Sequence, residues 1–313
     1  MTGHQPVMAL EVVRYAAPQR GETVVDATLG LGGHAALLGT AIGPEGTLVG
    51  LDWDAELLEQ AKERLADLVC RKHFIHSDFR KLPAVLGQLG IRHADVITAD
   101  LGVCSVHLDR AERGFSFQQD GPLDMRMDRS QVGRTAEHLL RSTSEAELER
   151  ILKEYGEERH ARAIARAIFV RVRQGRMRST GDLVEAVSDA VPPHARDRRI
   201  HFATRTFQAI RCAVTGELAG LQEAVEQAIG LLSPGGRIAV LAYHSLEDRQ
   251  VKRAFARLSG KCVCERGVPE CRCGKVRVVE VLTPKPVQPT ADEIRKNPRA
   301  RSAKLRVARR ISG

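Results

Sequence analysis

At 313 residues, with 43% hydrophobic and 28% charged residues, the chain has material for one large domain or two smaller ones. A net charge of +9 and a pI near 9.4 favour a polyanionic partner. There is no run of about 18 apolar residues for a membrane span, no basic-then-apolar signal at the N-terminus, and seven cysteines do not suggest a secreted disulfide framework, so a cytoplasmic protein is expected.

From Thr23 to Asp100 the pattern reads βαβαβαβ. Strands are predicted at Thr23–Ala27, Leu48–Asp52, Lys72–His76 and Val96–Asp100, with a helix over Glu56–Leu68 that Asp54 caps. Short apolar runs that end at acids suit a parallel sheet, whose carboxyl edge binds ligands. Asp26, Asp52, Asp78 and Asp100 all fall at or just beyond those ends. Between the first two strands lies Leu29-Gly30-Leu31-Gly32-Gly33-His34, where glycines let backbone approach a ligand. Asp52, twenty residues after Gly32, is placed to accept hydrogen bonds from a ribose. The spacing is not Gly-x-Gly-x-x-Gly and no Walker motif occurs, so S-adenosylmethionine suits the loop better than a dinucleotide.

After Asp100 the alternation stops. Residues 106–134 read as loop, rich in Gly, Asp, Arg and Met. Ser144 to Glu147 fits a capping box, Gly156 a stop, and Ala161, Ile164, Ala165 and Ile168 a helical stripe. Ser179 or Thr180 caps another helix, closed by Pro192-Pro193. These helices form an inserted domain over 106–207, with the α/β domain at 1–105 and 208–313. Phe207, Ile210, Val214, Leu218, Leu221 and Val225 form long helical faces that suit either a core or a homodimer surface. They lead to a Ser-Pro-Gly-Gly turn at 233–236, a strand Arg237–Ala242, and final strands at Val276–Leu282 and Lys304–Val307.

Arginines 159, 162, 166, 171, 173, 176 and 178 crowd the insertion, and Arg295 to Arg310 carries eight Lys or Arg and no acid; together they suggest phosphate contacts. Asp100 is the expected reaction centre. An exocyclic amine is a poor nucleophile because its lone pair is delocalised into the base, and a carboxylate against its N–H can orient it and take up developing charge. Contact with the cofactor is the other reading of Asp100. Tyr243 and His244 end a later strand, where they could close over a base. Phe115 and Phe117 are further candidates to grip it. Cys104 follows Val103, not proline, and reads as a small thiol, not a nucleophile. Cys262, Cys264, Cys271 and Cys273 form a C-x-C, six-residue, C-x-C cluster that could hold a structural zinc; two disulfides or unliganded thiols are the alternatives.

Nearly the whole chain resembles the bacterial small-subunit ribosomal RNA cytosine-N4 methyltransferase H (MraW) family. The matching stretches include Gly32-Gly33-His34, Asp100 to Val103, Glu112 to Phe117, Asp120 to Asp128, Tyr155 to Arg159, Ala203 to Ala209, Tyr243 to Arg249 and Asn297 to Ser302. The resemblance implies a class I Rossmann-like methyltransferase with an inserted helical recognition domain. It implies methylation of a cytidine N4 in the decoding region of 16S ribosomal RNA, within the small subunit, from S-adenosylmethionine. By position, cofactor contacts are Gly32, Gly33, His34, Asp52, Phe79 and Asp100. The family also uses a glutamine where this chain has His107, in Cys104-Ser105-Val106-His107. A DNA amino-methyltransferase is disfavoured, because Leu101-Gly102 replaces the usual Pro-Pro after the fourth strand. A ribosomal RNA assembly factor without turnover is the non-enzymatic alternative.

Overall fold

The computed structural model describes residues 6–130, 133–197, 200–264, 270–272, 274 and 276–311. The β-branched runs pair as expected. β1 (Thr23–Asp26) lies between β2 (Thr47–Asp52) and β4 (Ala94–Asp100), all parallel, with β3 (Arg71–His76) outside β2. β5 (Leu232–Ala242) runs parallel to β4; β7 (Lys304–Arg310) is antiparallel to β5, and β6 (Val279–Val281) antiparallel to β7. The order is β3-β2-β1-β4-β5-β7-β6. Strand order reverses between β1 and β4, and such a switch point opens a crevice at the carboxyl edge of a doubly wound sheet.

Apolar side chains cover the sheet in clusters. One joins Val24, Leu38, Ile42, Leu48, Leu58 and Val96. Another joins Val12, Ala239, Leu241, Leu305 and Val307. Val12 comes from a helix, Ala9–Ala16, that local sequence pattern does not reveal. Its eight residues span only two turns, too few for a clear helical period.

Several boundaries differ from expectation for local reasons. The third-strand approach helix is Ala55–Arg64, shorter than Glu56–Leu68, because Lys72 Nζ donates to the carbonyls of Leu65, Ala66 and Leu68 and satisfies the helix end early. Asp54 caps it, accepting from Glu56 N at 2.9 Å and Leu57 N at 3.4 Å. The long face expected across 207–225 is two helices, Thr204–Thr215 and Leu221–Gly230, separated by left-handed Gly216 and Gly220. The glycines near 235 do not precede β5; they lie within it, where pairing with β4 slips between Ala94 and Val96.

The chain divides into two compact units, Met1–Gly102 with Gly220–Gly313, and Val103–Ala219. The expected division at 106–207 therefore moves to 103–219. Helix Thr204–Thr215 belongs to the second unit: Gln208 Nε2 donates to the Tyr155 carbonyl at 2.9 Å, and a Cβ on Gly156 would sit 2.7 Å from the Arg205 carbonyl. The other principal helices there are Ala136–Ser142, Glu145–Gly156, Ala161–Arg173 and Thr180–Ala190. Ser144 and Ser179 cap two of them, as expected. The stripe Ala161, Ile164, Ala165 and Ile168 is buried in that unit's core with Leu152, Leu183 and Ile210. Among the described residues no helix is long and apolar enough to cross a membrane.

Candidate active site

The site is built from the turns that leave the parallel strands. After β1, Gly30 N donates to Asp52 Oδ2 at 2.6 Å, tying the glycine loop to the end of β2. Asp52 Oδ1 accepts from Asp54 N at 2.7 Å. Gly32 closes the loop in the left-handed region at φ 74°, and a Cβ there would meet Leu65 Cδ1 at 2.9 Å. That combination requires glycine. Gly33 begins the helix Gly33–Ile42, so its N-terminal dipole faces the loop. His34, on the first turn, is 7% exposed; its Nε2 is 2.9 Å from the Val7 carbonyl, an acceptor, and its Nδ1 is 3.9 Å from Asp100 Oδ2.

Asp100 ends β4. Its backbone N–H donates to Thr28 Oγ1 at 2.6 Å, and its Oδ1 accepts from Tyr243 Oη at 2.7 Å. Tyr243 follows β5, so the hydroxyl-carboxylate bond joins two adjacent strand ends. The small cleft here is lined by Asp26, His34, Thr98, Asp100, Val12 and Leu241. Asp26 is 2% exposed, and burial pushes its carboxyl up to about 6. His34 and the Thr28 N–H work against that shift, while the charges of Asp100 and Asp52 reinforce it.

The four strand-end acids thus part company. Asp26 and Asp100 line the cleft and Asp52 holds the glycine loop. Asp78 is engaged locally, accepting from Arg80 N at 2.9 Å and Arg80 Nε at 2.7 Å, while the Arg80 guanidinium lies over the Trp53 ring. Phe79 is half-buried in the short turn after β3. His244 is the N-cap of the helix Ser245–Leu258: its Nδ1 accepts from Glu247 N at 3.4 Å, and its Nε2 lies 3.1 Å from Glu247 Oε1. Glu247, 1% exposed, also accepts from Tyr243 N at 2.8 Å. The geometry gives His244 a capping position and Glu247 the task of holding the Tyr243 backbone. Thr28 and Glu247 were not singled out from sequence; the His244-to-Glu247 spacing of a capping box was the available signal for the second.

His107 lies in the second unit, 3% exposed. Its Nδ1 accepts from Cys104 N at 3.2 Å, at the start of its own helix, and its ring centroid is 5.2 Å from that of Phe115. Phe115 is buried and Phe117 stacks on His201 at 4.4 Å, so both serve that unit's packing. Asp124, in the segment before the helices, is bonded by Arg126 Nε at 2.7 Å and lies 3.3 Å from Arg129 Nε. Burial acts to raise its carboxyl, but the Arg126 bonds and the two guanidinium charges hold it below the ordinary value. Arg159, Arg162, Arg166, Arg173, Arg176 and Arg178 are exposed, whereas Arg171 pairs with Glu185 and Asp189. In the tail, Arg306 and Lys304 pair with Asp248 and Arg309 with Glu280 along β7, and Arg295 pairs with Asp292 within the helix Ala291–Lys296. Cys262, Cys264 and Cys271 come together, and Cys273 lies outside the described residues.

A switch-point crevice, a glycine loop tied to a strand-end acid, and an acid after β4 define a Rossmann-like α/β enzyme built for a ribose-containing ligand. Residues 1–311 match the model of the MraW methylase family. A relative from Geobacter sulfurreducens, named ribosomal RNA small subunit methyltransferase H, is 47% identical over 98% of this chain and 99% of its own length. Relatives of the same name from Syntrophotalea carbinolica and Halothermothrix orenii are 48% and 42% identical, covering 98% and 99% of this chain and 98% and 99% of theirs. The chain belongs to the MraW methylase family, whose members are S-adenosylmethionine-dependent methyltransferases.

Proposed function

We propose that this chain methylates the exocyclic N4 of a cytidine in the decoding region of 16S ribosomal RNA, on the small ribosomal subunit. The observation that carries the reading is Asp100, held at the end of β4 by Tyr243 and by Thr28 beside the glycine loop.

S-adenosylmethionine supplies an electrophilic methyl carbon on a sulfonium, which leaves as a neutral thioether without acid assistance. The residues present fit that cofactor. Asp52, at the end of β2 beside the glycine loop, is placed to accept from ribose hydroxyls, since a carboxylate offers about four lone-pair sites. Gly30, Gly32 and Gly33 lack Cβ atoms that would keep a ligand from the loop backbone, and Phe79 offers a ring for adenine. Asp100 would accept an N–H of the cytosine amine, orient the nitrogen lone pair and offset the positive charge that develops as the new N–C bond forms; the surplus N4 proton then leaves to solvent. Tyr243 fixes the Asp100 rotamer by its hydroxyl bond, and His244 and Glu247 fix Tyr243 through the helix start. His34 places an imidazole nitrogen beside the other Asp100 oxygen.

The second unit is the recognition module in this reading. Its exposed arginines contact phosphates, which positions the RNA and makes binding salt-dependent. His107 stands where the family has a glutamine.

The test is methyl transfer from labelled S-adenosylmethionine to small subunits lacking the modification, followed by mass mapping of nucleosides. N4-methylated cytidine in the decoding region is the expected product. A methylated DNA base, or cofactor binding without transfer to RNA, would overturn the proposal.

A further inference from the structure

An excursion joins the helix Ser245–Leu258 to β6. None of its described residues from Lys261 to Val276 is buried. Its ends are nevertheless pinned: Ser259 bridges Arg277, Val276 N donates to the Arg257 carbonyl at 3.1 Å, and Val278 N to the Leu258 carbonyl at 2.8 Å. Within it the sulfurs of Cys262, Cys264 and Cys271 all lie within 4.8 Å of one another. Cys271 Sγ is 3.5 Å from Cys262 Sγ and 3.9 Å from Cys264 Sγ.

These distances discriminate between the chemistries open to cysteines. A disulfide needs about 2.05 Å between sulfurs. Four-coordinate zinc, with bonds of about 2.3 Å at tetrahedral angles, holds its thiolates about 3.8 Å apart. The observed separations bracket the second value. A cation that takes up the three sulfurs as thiolates offsets their mutual repulsion. A soft sulfur set in tetrahedral spacing selects zinc among the common divalent ions.

We propose that Cys262, Cys264 and Cys271 bind one zinc ion, which orders the excursion in place of a hydrophobic core. Each thiol gives up its proton to solvent as its sulfur binds, so loading releases protons and the binding energy becomes folding energy for the loop. The proposal stands on these three residues and is independent of the methyl-transfer reading.

The test uses the full chain without an affinity tag, expressed with zinc in the medium and purified reduced and free of chelator. Elemental analysis should give about one zinc per chain. Cys262→Ser/Cys271→Ser should lower that content about tenfold or more, with Cys70 and Cys212 untouched. Cobalt exchanged into the unmutated chain should show thiolate-to-cobalt charge-transfer absorption, and Cys264→Ser should weaken it, a readout that needs no activity. Reduced protein holding less than about a tenth of an equivalent of zinc would overturn the site. So would equal zinc in the unmutated and doubly substituted chains.

Discussion

Asp100 at the carboxyl edge of the sheet and Asp124 in the second unit are answered by different partners. Asp100 accepts from the Tyr243 hydroxyl, Asp52 from two backbone N–H groups, and Asp26 from the Thr28 N–H. Asp124, in the second unit, is gripped by the Arg126 guanidinium with Arg129 close by. Dipoles orient a carboxylate and leave its charge available to a ligand. A bidentate guanidinium cancels that charge and turns the residue into a strut. A carboxylate is thus held by a hydroxyl at Asp100 and by a guanidinium at Asp124. The difference is made by neighbours contributed from other strands and turns.

Four substitutions sharpen or break this contrast. Asp100→Asn should lower kcat about a thousandfold, the range for removing a positioned acid-base or electrostatic group, with unchanged melting temperature. Near-normal turnover on small subunits would remove Asp100 from the reaction.

Asp26 comes next. Its folded pKa, raised from 3.8 to about 6, means that the native state holds its proton more tightly than the unfolded chain. Stability should therefore be highest below pH 3.8 on this account and fall as pH rises to about 6, then level off. Asp26→Asn should abolish that segment of the pH profile, a difference on the order of 3 kcal/mol by pH 7. Parallel denaturation curves at pH 4 and pH 7 for both proteins would measure it.

Asp124→Asn should act oppositely to Asp100→Asn. It leaves Arg126 and Arg129 without their anion and should cost roughly 2 kcal/mol, discounted because both guanidinium groups reach solvent. Cofactor affinity, measured by calorimetry, should not move. Loss of cofactor binding with an unchanged melting temperature would erase the distinction between the regions.

Tyr243→Phe has the smallest effect. Losing one hydrogen bond to a carboxylate should reduce kcat about tenfold while KM for S-adenosylmethionine holds. Restoration of the full rate by a second hydroxyl source at that position would support the positioning role, and a KM effect alone would contradict it.

Much of this was legible along the chain. The strand cores, the Asp54 cap, the glycine loop, and the placement of Asp52 and Asp100 at strand ends come from local rules: side-chain period and turn chemistry. The helical insertion was legible too, because loss of the βα alternation is itself a pattern. Its limits were not, since whether Thr204–Thr215 belongs with the insertion depends on the close approach at Gly156, a contact between residues far apart in sequence.

Tertiary structure alone decided which charges remain available. The basic tail looks like a nucleic-acid arm in one dimension, yet β7 places Arg306 beside Asp248 and Arg309 beside Glu280. Four strand-end acids look equivalent by position. Burial raises one of them, Arg80 consumes another, and Tyr243, 143 residues away, sets the geometry of a third. Electrostatic energy depends on distance and solvent exposure, and neither is a property of sequence separation. Periodicity and turn chemistry, by contrast, act between near neighbours, which is why the sequence by itself determined the elements and the family while the folded chain decided the chemistry of each acid.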